Sequence, residues 1–562
     1  MDNEKIENLL NLALNASPEE RRRSPALQTG YLEEQKKWEV IVKFTGSLKE
    51  VLEKYPGVKG EELLNSYGIL TVPEDEVDRI ASEIQIAYME KPKRLFFAQE
   101  PLETGGSPMA IGQNDGPYTG RGVLMAVIDS GIDYGHPDFR NPDGSTRIAQ
   151  LWDQTLGKVY TKDQIDQALA APDSFERYEI VPSRDLSGHG THVAGIAAGN
   201  GRASDGKYKG MAPDSTLLVV KLGAPGENSF PRTTELMRAV NYALLQGEER
   251  KMPVVVNLSF GNNYGGHDGS ALLETYLDSV SSYGRSVIVT GTGNEGASSI
   301  HTGGRLSAEN VPVEIPFFAG AYETGFSIQI WKNFSDIFTI ELRHPSGRTV
   351  GRIRPETGTQ RIRMEGTELL LYYGVPSPYS VSQEIFIDFI PTGSYVDAGI
   401  WEIILTPERI AEGAFDLWMP GQSVLSAGTG FLYPVESTTL TIPSTATKIL
   451  SVAAYDARYN KLADFSGRGF TRNDRQIKPD VAAPGVEIIS AAPGGGYAPR
   501  SGTSMAVPYV SGLAARMMEE GIIEGKDPYL YGEKIKAFLH RNAKELEVRQ
   551  VYPNPELGWG AV

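Results

Sequence analysis

The sequence predicts an α/β protein: a doubly wound parallel sheet, interrupted by an inserted β-sandwich and preceded by a small α+β module. Three observations predict it. From about residue 120 to 300, short, continuously apolar strands such as VLMAVI, TLLVVKL and PVVVNLS alternate with helical stretches such as ELMRAVNYALLQG. Strands of that kind are buried on both faces of a parallel sheet. Between 305 and 440 the helices vanish, and runs such as FSIQIW, FTIELRH, ELLLYYGV and EIFIDFI are separated by Gly, Pro and Asn turns, the pattern of a two-sheet sandwich. The α/β alternation then resumes with KILSVAAYD, VEIISAA and a helix at 504–519, so the sandwich reads as an insertion in one domain.

In chain order, residues 1–36 are polar and helix-prone, with Arg21, Arg22 and Arg23 in a row, and read as a solvated arm. Residues 37–99 form a compact unit. In it KWEVIVKFTG alternates as a strand, SLKEVLEKY reads as a helix, NSYGILTVPE as a strand, EDEVDRIASEI as a helix and QIAYMEKPKRLFF as a last strand. Residues 100–304 carry the first part of the α/β domain, 305–440 the sandwich and 441–562 the second part.

Composition narrows the function. A chain of 562 residues is too long for one ordinary core. It has no cysteine, which excludes disulfide frameworks, thiolate metal sites and cysteine nucleophiles. A formal charge of −17 argues against nucleic acid or an anionic membrane as partner, because both call for a basic face. The first residues, MDNEKIENLLNLALNASPEERRRSP, lack the basic and strongly apolar regions of a signal peptide, and no run of about 18 apolar residues could span a bilayer. Cytoplasmic synthesis without a signal peptide is the resulting expectation.

Four motifs carry possible chemistry. In VLMAVIDSGIDYGHPDF a buried strand delivers Asp129 at its carboxyl end, where doubly wound sheets place their sites. An acid there can fix an imidazole tautomer; a turn or helix-capping Asp is the plain alternative. In DLSGHGTHVAGIAAG, His189 opens a small-residue helix and suits a general base. His189 and His192 are spaced i, i+3, which could suggest a metal, but no Glu lies between them, and His192 reads as a buried structural histidine. In YAPRSGTSMAVPYVSGLAARMM a Gly-rich loop brings Ser504 to a helix N-terminus, whose free N–H groups suit an oxyanion; an N-capping serine is the alternative. In VIVTGTGNEGA, Asn294 follows a strand and a Gly-rich turn and could donate its amide to the same oxyanion, or serve only as a turn Asn.

Singly these motifs are ambiguous. Together, DSGID, HGTHVAG, GNEG and GTSMAVP, in the order Asp, His, Asn, Ser, resemble the subtilisin (subtilase) family. GMAP at 210–213, VVNLSFG at 255–261 and KPDVAAPG at 478–485 add to the resemblance, which covers about 120–300 and 440–562. It implies a subtilisin-like catalytic domain, a serine endopeptidase working through an acyl-enzyme. The triad would be Asp129, His189 and Ser504, and the Asn294 side chain and the Ser504 N–H would form the oxyanion hole. Ser259, Phe260 and Gly261, with Gly291, Thr292 and Gly293, would line the pocket for the residue before the cut, with Glu295 at its rim.

The resemblance also implies that 37–99 is a ferredoxin-like prodomain. Such a prodomain assists folding, inhibits the enzyme and leaves its last strand in the active-site cleft, with autocleavage around Phe97, Ala98 and Gln99. The expected partners are then a protein or peptide substrate and the chain's own prodomain. At the family's calcium site Asp138 matches, but the loop GNGRASDGKYKG differs in length and offers mainly Asn200 and Asp205, so no metal or other cofactor is expected. The order of prodomain, interrupted catalytic domain and insert is similar to that of the clostridial Csp germination proteases, which carry a jelly-roll insert and activate a spore-cortex lytic zymogen. That similarity implies a processing protease with a limited protein substrate set and a spore-associated location. A catalytically silent pseudoprotease, acting as sensor or scaffold, is the alternative. The sandwich would clamp the catalytic core, or bind a glycan or partner protein.

Overall fold

The computed structural model describes residues 3–97, 109–110, 116–224, 230–307, 311–353, 355–472, 476–546 and 550–562. Ala98 and Gln99, two of the three residues expected around autocleavage, lie outside the described residues. The chain forms two compact units. One comprises Met1–Arg94, Asn262–Leu272 and Ala297–Thr438; the other comprises Leu95–Gly261, Leu273–Gly296 and Thr439–Val562. The prodomain segment and the inserted sandwich therefore share a unit, a grouping that the sequence-based boundaries did not anticipate.

The second unit is built on a nine-stranded sheet. In spatial order its central strands are Ile148–Asp153, Thr216–Lys221, Leu124–Asp129, Val254–Leu258, Ser286–Gly291, Leu450–Asp456 and Val481–Pro484, all parallel. Short antiparallel strands, Lys158–Thr161 and Lys461–Leu462, flank it. Strand Leu124–Asp129 shows why the sequence reads as continuously apolar. Met125 and Val127 join a buried cluster with Val193, Ala194 and Ala197 of helix His189–Ala198 and with Met505, Ala506 and Val510 of helix Thr503–Met518. Leu124, Ala126 and Ile128 point to the opposite face, where helix Thr233–Arg250 packs, and are equally buried. Each such Leu, Ile, Val or Met side chain contributes about 1.5–3 kcal/mol of burial. The strand order reverses around Leu124–Asp129, so Asp129 at its end lies at a topological switch point.

In the first unit, strand Lys37–Phe44 pairs antiparallel with Tyr67–Pro73 and with Ile86–Glu90, and Tyr67–Pro73 pairs with Lys59–Leu63. With helices Leu48–Lys54 and Val77–Ala81 this is a βαββαβ unit, one strand more than the sequence suggested. The missed strand, KGEEL, has exposed side chains except at Leu63, so no apolar alternation marks it; backbone pairing alone holds that edge. The expected last strand is also shorter. It stops at Glu90, just before Lys91 and Pro92, and Phe96–Phe97 forms a separate strand.

Residues 1–36 are not a solvated arm. Helix Asn8–Asn15 buries Leu9, Leu10, Leu12 and Ala13, and helix Pro18–Arg23 starts at a Ser17/Glu20 capping box. Arg21 is buried: its Nη1 donates to the carbonyls of Ala13 and Ala16, each at 3.2 Å, and pairs with Glu74 at 2.7 Å. The apolar stripe Ile6, Leu9, Leu10, Ala13, spaced i, i+3, i+4, i+7, was the signal for a docked helix.

The insert is a sandwich of a six-stranded and a five-stranded antiparallel sheet around one core that includes Phe317, Ile328, Ile387, Phe389, Trp401 and Ile403. Strand Ser382–Pro391 is buried along its whole length. Ile385, Ile387 and Phe389 face the sandwich core, whereas Phe386 and Ile390 join Leu370 and Tyr372 in a second cluster with Leu9, Leu10 and Leu12. Arg361 fixes the same contact, donating to Glu20 at 2.7 Å and to the Asn15 carbonyl at 2.8 Å. The prodomain segment thus packs on the outer face of the six-stranded sheet.

Candidate active site

Asp129 ends its strand, and His189 is the first residue of helix His189–Ala198. The structure brings them together: Nδ1 of His189 donates to Oδ1 of Asp129 at 2.7 Å, and both side chains are buried. The same oxygen accepts the Ser130 amide at 2.7 Å. Close approach depends on Gly190. A Cβ there would lie 2.1 Å from the Gly131 carbonyl oxygen and 3.1 Å from Asp129, so a larger residue would force the histidine helix away from the acid.

Asp185 organises the start of that helix, a role the sequence reading missed although the residue opens the DLSGHGTH motif. Its Oδ1 accepts the Gly188 amide at 2.9 Å and the Ser130 hydroxyl at 2.8 Å. Its Oδ2 accepts the Thr191 amide at 2.8 Å and hydroxyl at 2.7 Å. One carboxylate thereby satisfies orphan donors of the helix terminus and ties it to the loop after Asp129.

Ser504 is the second residue of helix Thr503–Met518 and is fully buried. Its hydroxyl donates to the Ser259 carbonyl at 3.4 Å. Asn294 follows strand Ser286–Gly291. Its Oδ1 accepts the Thr503 amide at 3.1 Å and the Thr503 hydroxyl at 3.0 Å. That fixes the amide plane. The Nδ2 of Asn294 is buried without a hydrogen-bond partner among the described residues, so a donor stands unspent beside the helix terminus that carries Ser504.

The expected pocket residues form two segments that continue neighbouring parallel strands. Ser259, Phe260 and Gly261 follow Val254–Leu258; Gly291 ends Ser286–Gly291, and Thr292 and Gly293 follow it. Strand Phe96–Phe97, the tail of the prodomain segment, pairs antiparallel with Phe260–Gly261, Phe97 opposite Phe260 and Phe96 opposite Gly261. The Leu95 amide donates to the Pro231 carbonyl at 2.7 Å, and the Phe96 ring lies 4.9 Å from that of Phe230. This tail runs along the segment whose Ser259 carbonyl accepts the Ser504 hydroxyl.

His192 takes no part in this group. Its Nε2 lies 3.0 Å from the Ile488 carbonyl and 2.9 Å from that of Ala498. Burial lowers its pKa to about 3, so it is a neutral donor bridging two strands.

The residues matched to a calcium site do not fit a cation. Both carboxylate oxygens of Asp138 lie 2.9 Å from the Tyr497 hydroxyl, and Oδ1 also accepts the Ala203 amide at 2.9 Å. Asn200 spends its amide on the Arg140 carbonyl and its oxygen on the Arg202 amide. Both side chains are thus held by other groups of the protein, and among the described residues no cluster of three or more His, Asp or Glu could hold a metal.

Comparison with known proteins agrees with this geometry. The family model for the Csp protease B prodomain matches residues 4–93, and that for the subtilase family matches 120–316 and 423–560. The structure of the Clostridium perfringens CspB protease superposes with a TM-score of 0.76 at 37% identity, covering 80% of this chain and 93% of that one. Minor extracellular protease Vpr of Bacillus subtilis strain 168 is 28% identical over 479 residues, 80% of this chain and 52% of its own length. Subtilisin E of the same strain is 30% identical over 254 residues, 44% of this chain and 52% of its own length. The chain thus spans about half the length of these two curated relatives. With the prodomain match running from residue 4, the segment expected as a separate arm belongs to the prodomain. The chain belongs to the subtilase family of serine proteases, peptidase S8, and carries a Csp-type prodomain ahead of its catalytic fold.

Proposed function

We propose that this chain is an endopeptidase in which Ser504 attacks the substrate carbonyl, His189 takes the serine proton and later gives it to the leaving amine, and Asp129 holds the imidazole in the productive tautomer. Asn294 Nδ2 and the Ser504 amide donate to the tetrahedral oxyanion. The observation that carries this reading is the buried Asp129–His189 hydrogen bond at 2.7 Å, together with an unspent Asn294 donor beside Ser504. Ser259–Gly261 and Gly291–Gly293 receive the substrate backbone and the side chain before the cut.

The chain is synthesised as a zymogen. Phe96–Phe97 lies on the wall strand that a substrate would use, so the prodomain tail occupies the route until cleavage in the region of Phe97, Ala98 and Gln99. The match to the Csp prodomain and to the CspB protease supports a processing role on a limited set of protein substrates, a spore germination zymogen among them, and a spore-associated location. Intact mass spectrometry tests processing: wild type splits near residue 98 and Ser504→Ala stays full length. A wild type that stays intact, or a Ser504→Ala chain that splits alone, contradicts autoprocessing. Incubation with a purified cortex-lytic proenzyme tests the substrate: one defined cut supports the germination role, and an untouched proenzyme overturns it.

A further inference from the structure

The contact between the prodomain segment and the sandwich buries more acid than base. Along strand Ser382–Pro391, Glu384 and Asp388 share the outer face with Phe386 and Ile390, and both acids are buried, at 6% and 3% exposure. Glu384 lines a small cavity together with Glu7, Asn8, Tyr88, Glu90 and Lys93 of the prodomain segment. Three carboxyls thus meet one ammonium there. Lys93 Nζ pairs with Glu7 at 2.6 Å and with Glu90. Glu7 also accepts the Lys91 backbone amide at 2.9 Å, and Glu90 accepts that of Leu272 at 2.9 Å. Glu384 forms no ion pair among the described residues. Its contact is a long hydrogen bond, 3.5 Å, from Asn8 Nδ2, which also donates to the Val375 carbonyl at 3.1 Å. Asp388 has a buried oxygen, Oδ2, with no hydrogen-bond partner among the described residues. Burial, with the Glu7 charge nearby, pushes the Glu384 carboxyl up to about 8, and burial pushes Asp388 up to about 7.

We propose that Glu384 is an acid-strengthened latch: while its carboxyl holds a proton, helix Asn8–Asn15 stays seated on the sandwich, and ionisation of that carboxyl loosens the seat. That the loosened segment is an inhibitor rests on the reading of the prodomain given above. Once the helix lifts, Glu384 meets water and ionises at its ordinary value of 4.5, so the seated state holds a proton that the open state gives up. Rising pH therefore favours opening, by up to about 10-fold per unit between those two values. The other groups at the contact do not cancel this. Glu7 and Asp388 are shifted in the same direction and add to it. Lys93 stays charged and Tyr88 neutral throughout that range, both being shifted upward. Lys91, which burial holds down to about 7, opposes the trend only above that value.

The test is hydrogen exchange of the full-length Ser504→Ala chain, which needs no processing. Protection of the amides in helix Asn8–Asn15, corrected for intrinsic exchange, should fall about 10-fold or more between about pH 5.5 and about pH 7. Glu384→Gln, which keeps the shape of the neutral acid, should raise protection near pH 7 and remove about 10-fold of the fall. Glu384→Leu should act in the same direction should the glutamine variant fail to fold. Equal protection at both pH values overturns the proposal, as does a fall of wild-type size in a folded Glu384 variant. A wild-type chain that never splits refutes autoprocessing instead, and leaves the latch to be decided on the uncleaved chain.

Discussion

The carboxamide oxygen of Asn294 accepts two hydrogen bonds from Thr503, one from its amide at 3.1 Å and one from its hydroxyl at 3.0 Å. The residue next to Ser504 thereby aims the Asn294 donor. Asn294→Ala should lower kcat by about 10²–10³-fold with little change in KM, the loss typical of one oxyanion donor. Thr503→Val keeps the amide bond and removes only the hydroxyl bond, so it should lower kcat by about 10-fold or less, again without a matching rise in KM. Steady-state kinetics on a peptide substrate checks both; a change confined to KM would assign Asn294 to ground-state binding.

Asp138 depends on Tyr497 where a metal could otherwise have served. Burial and the neighbouring carboxylate raise the phenol's pKa, so it remains a protonated donor. Tyr497→Phe should cost about 1–3 kcal/mol, because it strips a buried carboxylate of its hydroxyl partner. Wild type should melt at the same temperature with and without a chelator. Thermal scans measure both, and a chelator-dependent midpoint would contradict the internal pairing.

His192 sets part of the acid sensitivity. In the unfolded chain it takes up a proton near its ordinary value of 6.5, whereas in the fold burial holds its pKa down to about 3. Between those values unfolding consumes a proton, so the stability from keeping His192 neutral is full above about pH 6.5 and is lost progressively toward pH 3. Chemical denaturation at several pH values should show His192→Gln flattening the stability profile between pH 4 and 6 by about 1.4 kcal/mol per pH unit. An identical slope in both proteins would place the acid sensitivity elsewhere.

Leu10 is fully buried where the N-terminal helix meets the sandwich face. Leu10→Ala should destabilise the first unit by about 2–5 kcal/mol. A variant as stable as wild type to denaturant would mean that the helix is dispensable.

These residues also mark where the sequence was legible. Asp129, His189, Asn294 and Ser504 stood out because each chemical side chain follows a strand or opens a helix within a distinctive run of small residues. The sandwich was legible from alternation and turns. KGEEL was not, because an exposed edge strand needs no apolar pattern. The N-terminal helix carries its signal in the stripe Ile6, Leu9, Leu10 and Ala13, but part of the surface that buries it, Leu370, Tyr372, Phe386 and Ile390, lies more than 300 residues away and leaves no local mark. Asp185 and Thr503 escaped for a related reason: each acts by holding another group, and the chain alone does not show which atoms they reach.

The measurement that bears most directly on the central claim is the mass of the Ser504 peptide after the processed chain has been incubated with a fluorophosphonate. Stoichiometric modification on Ser504 is expected, with loss of peptide hydrolysis in step and no modification in Ser504→Ala. A folded, processed chain that leaves Ser504 unmodified while still cleaving peptides would contradict it.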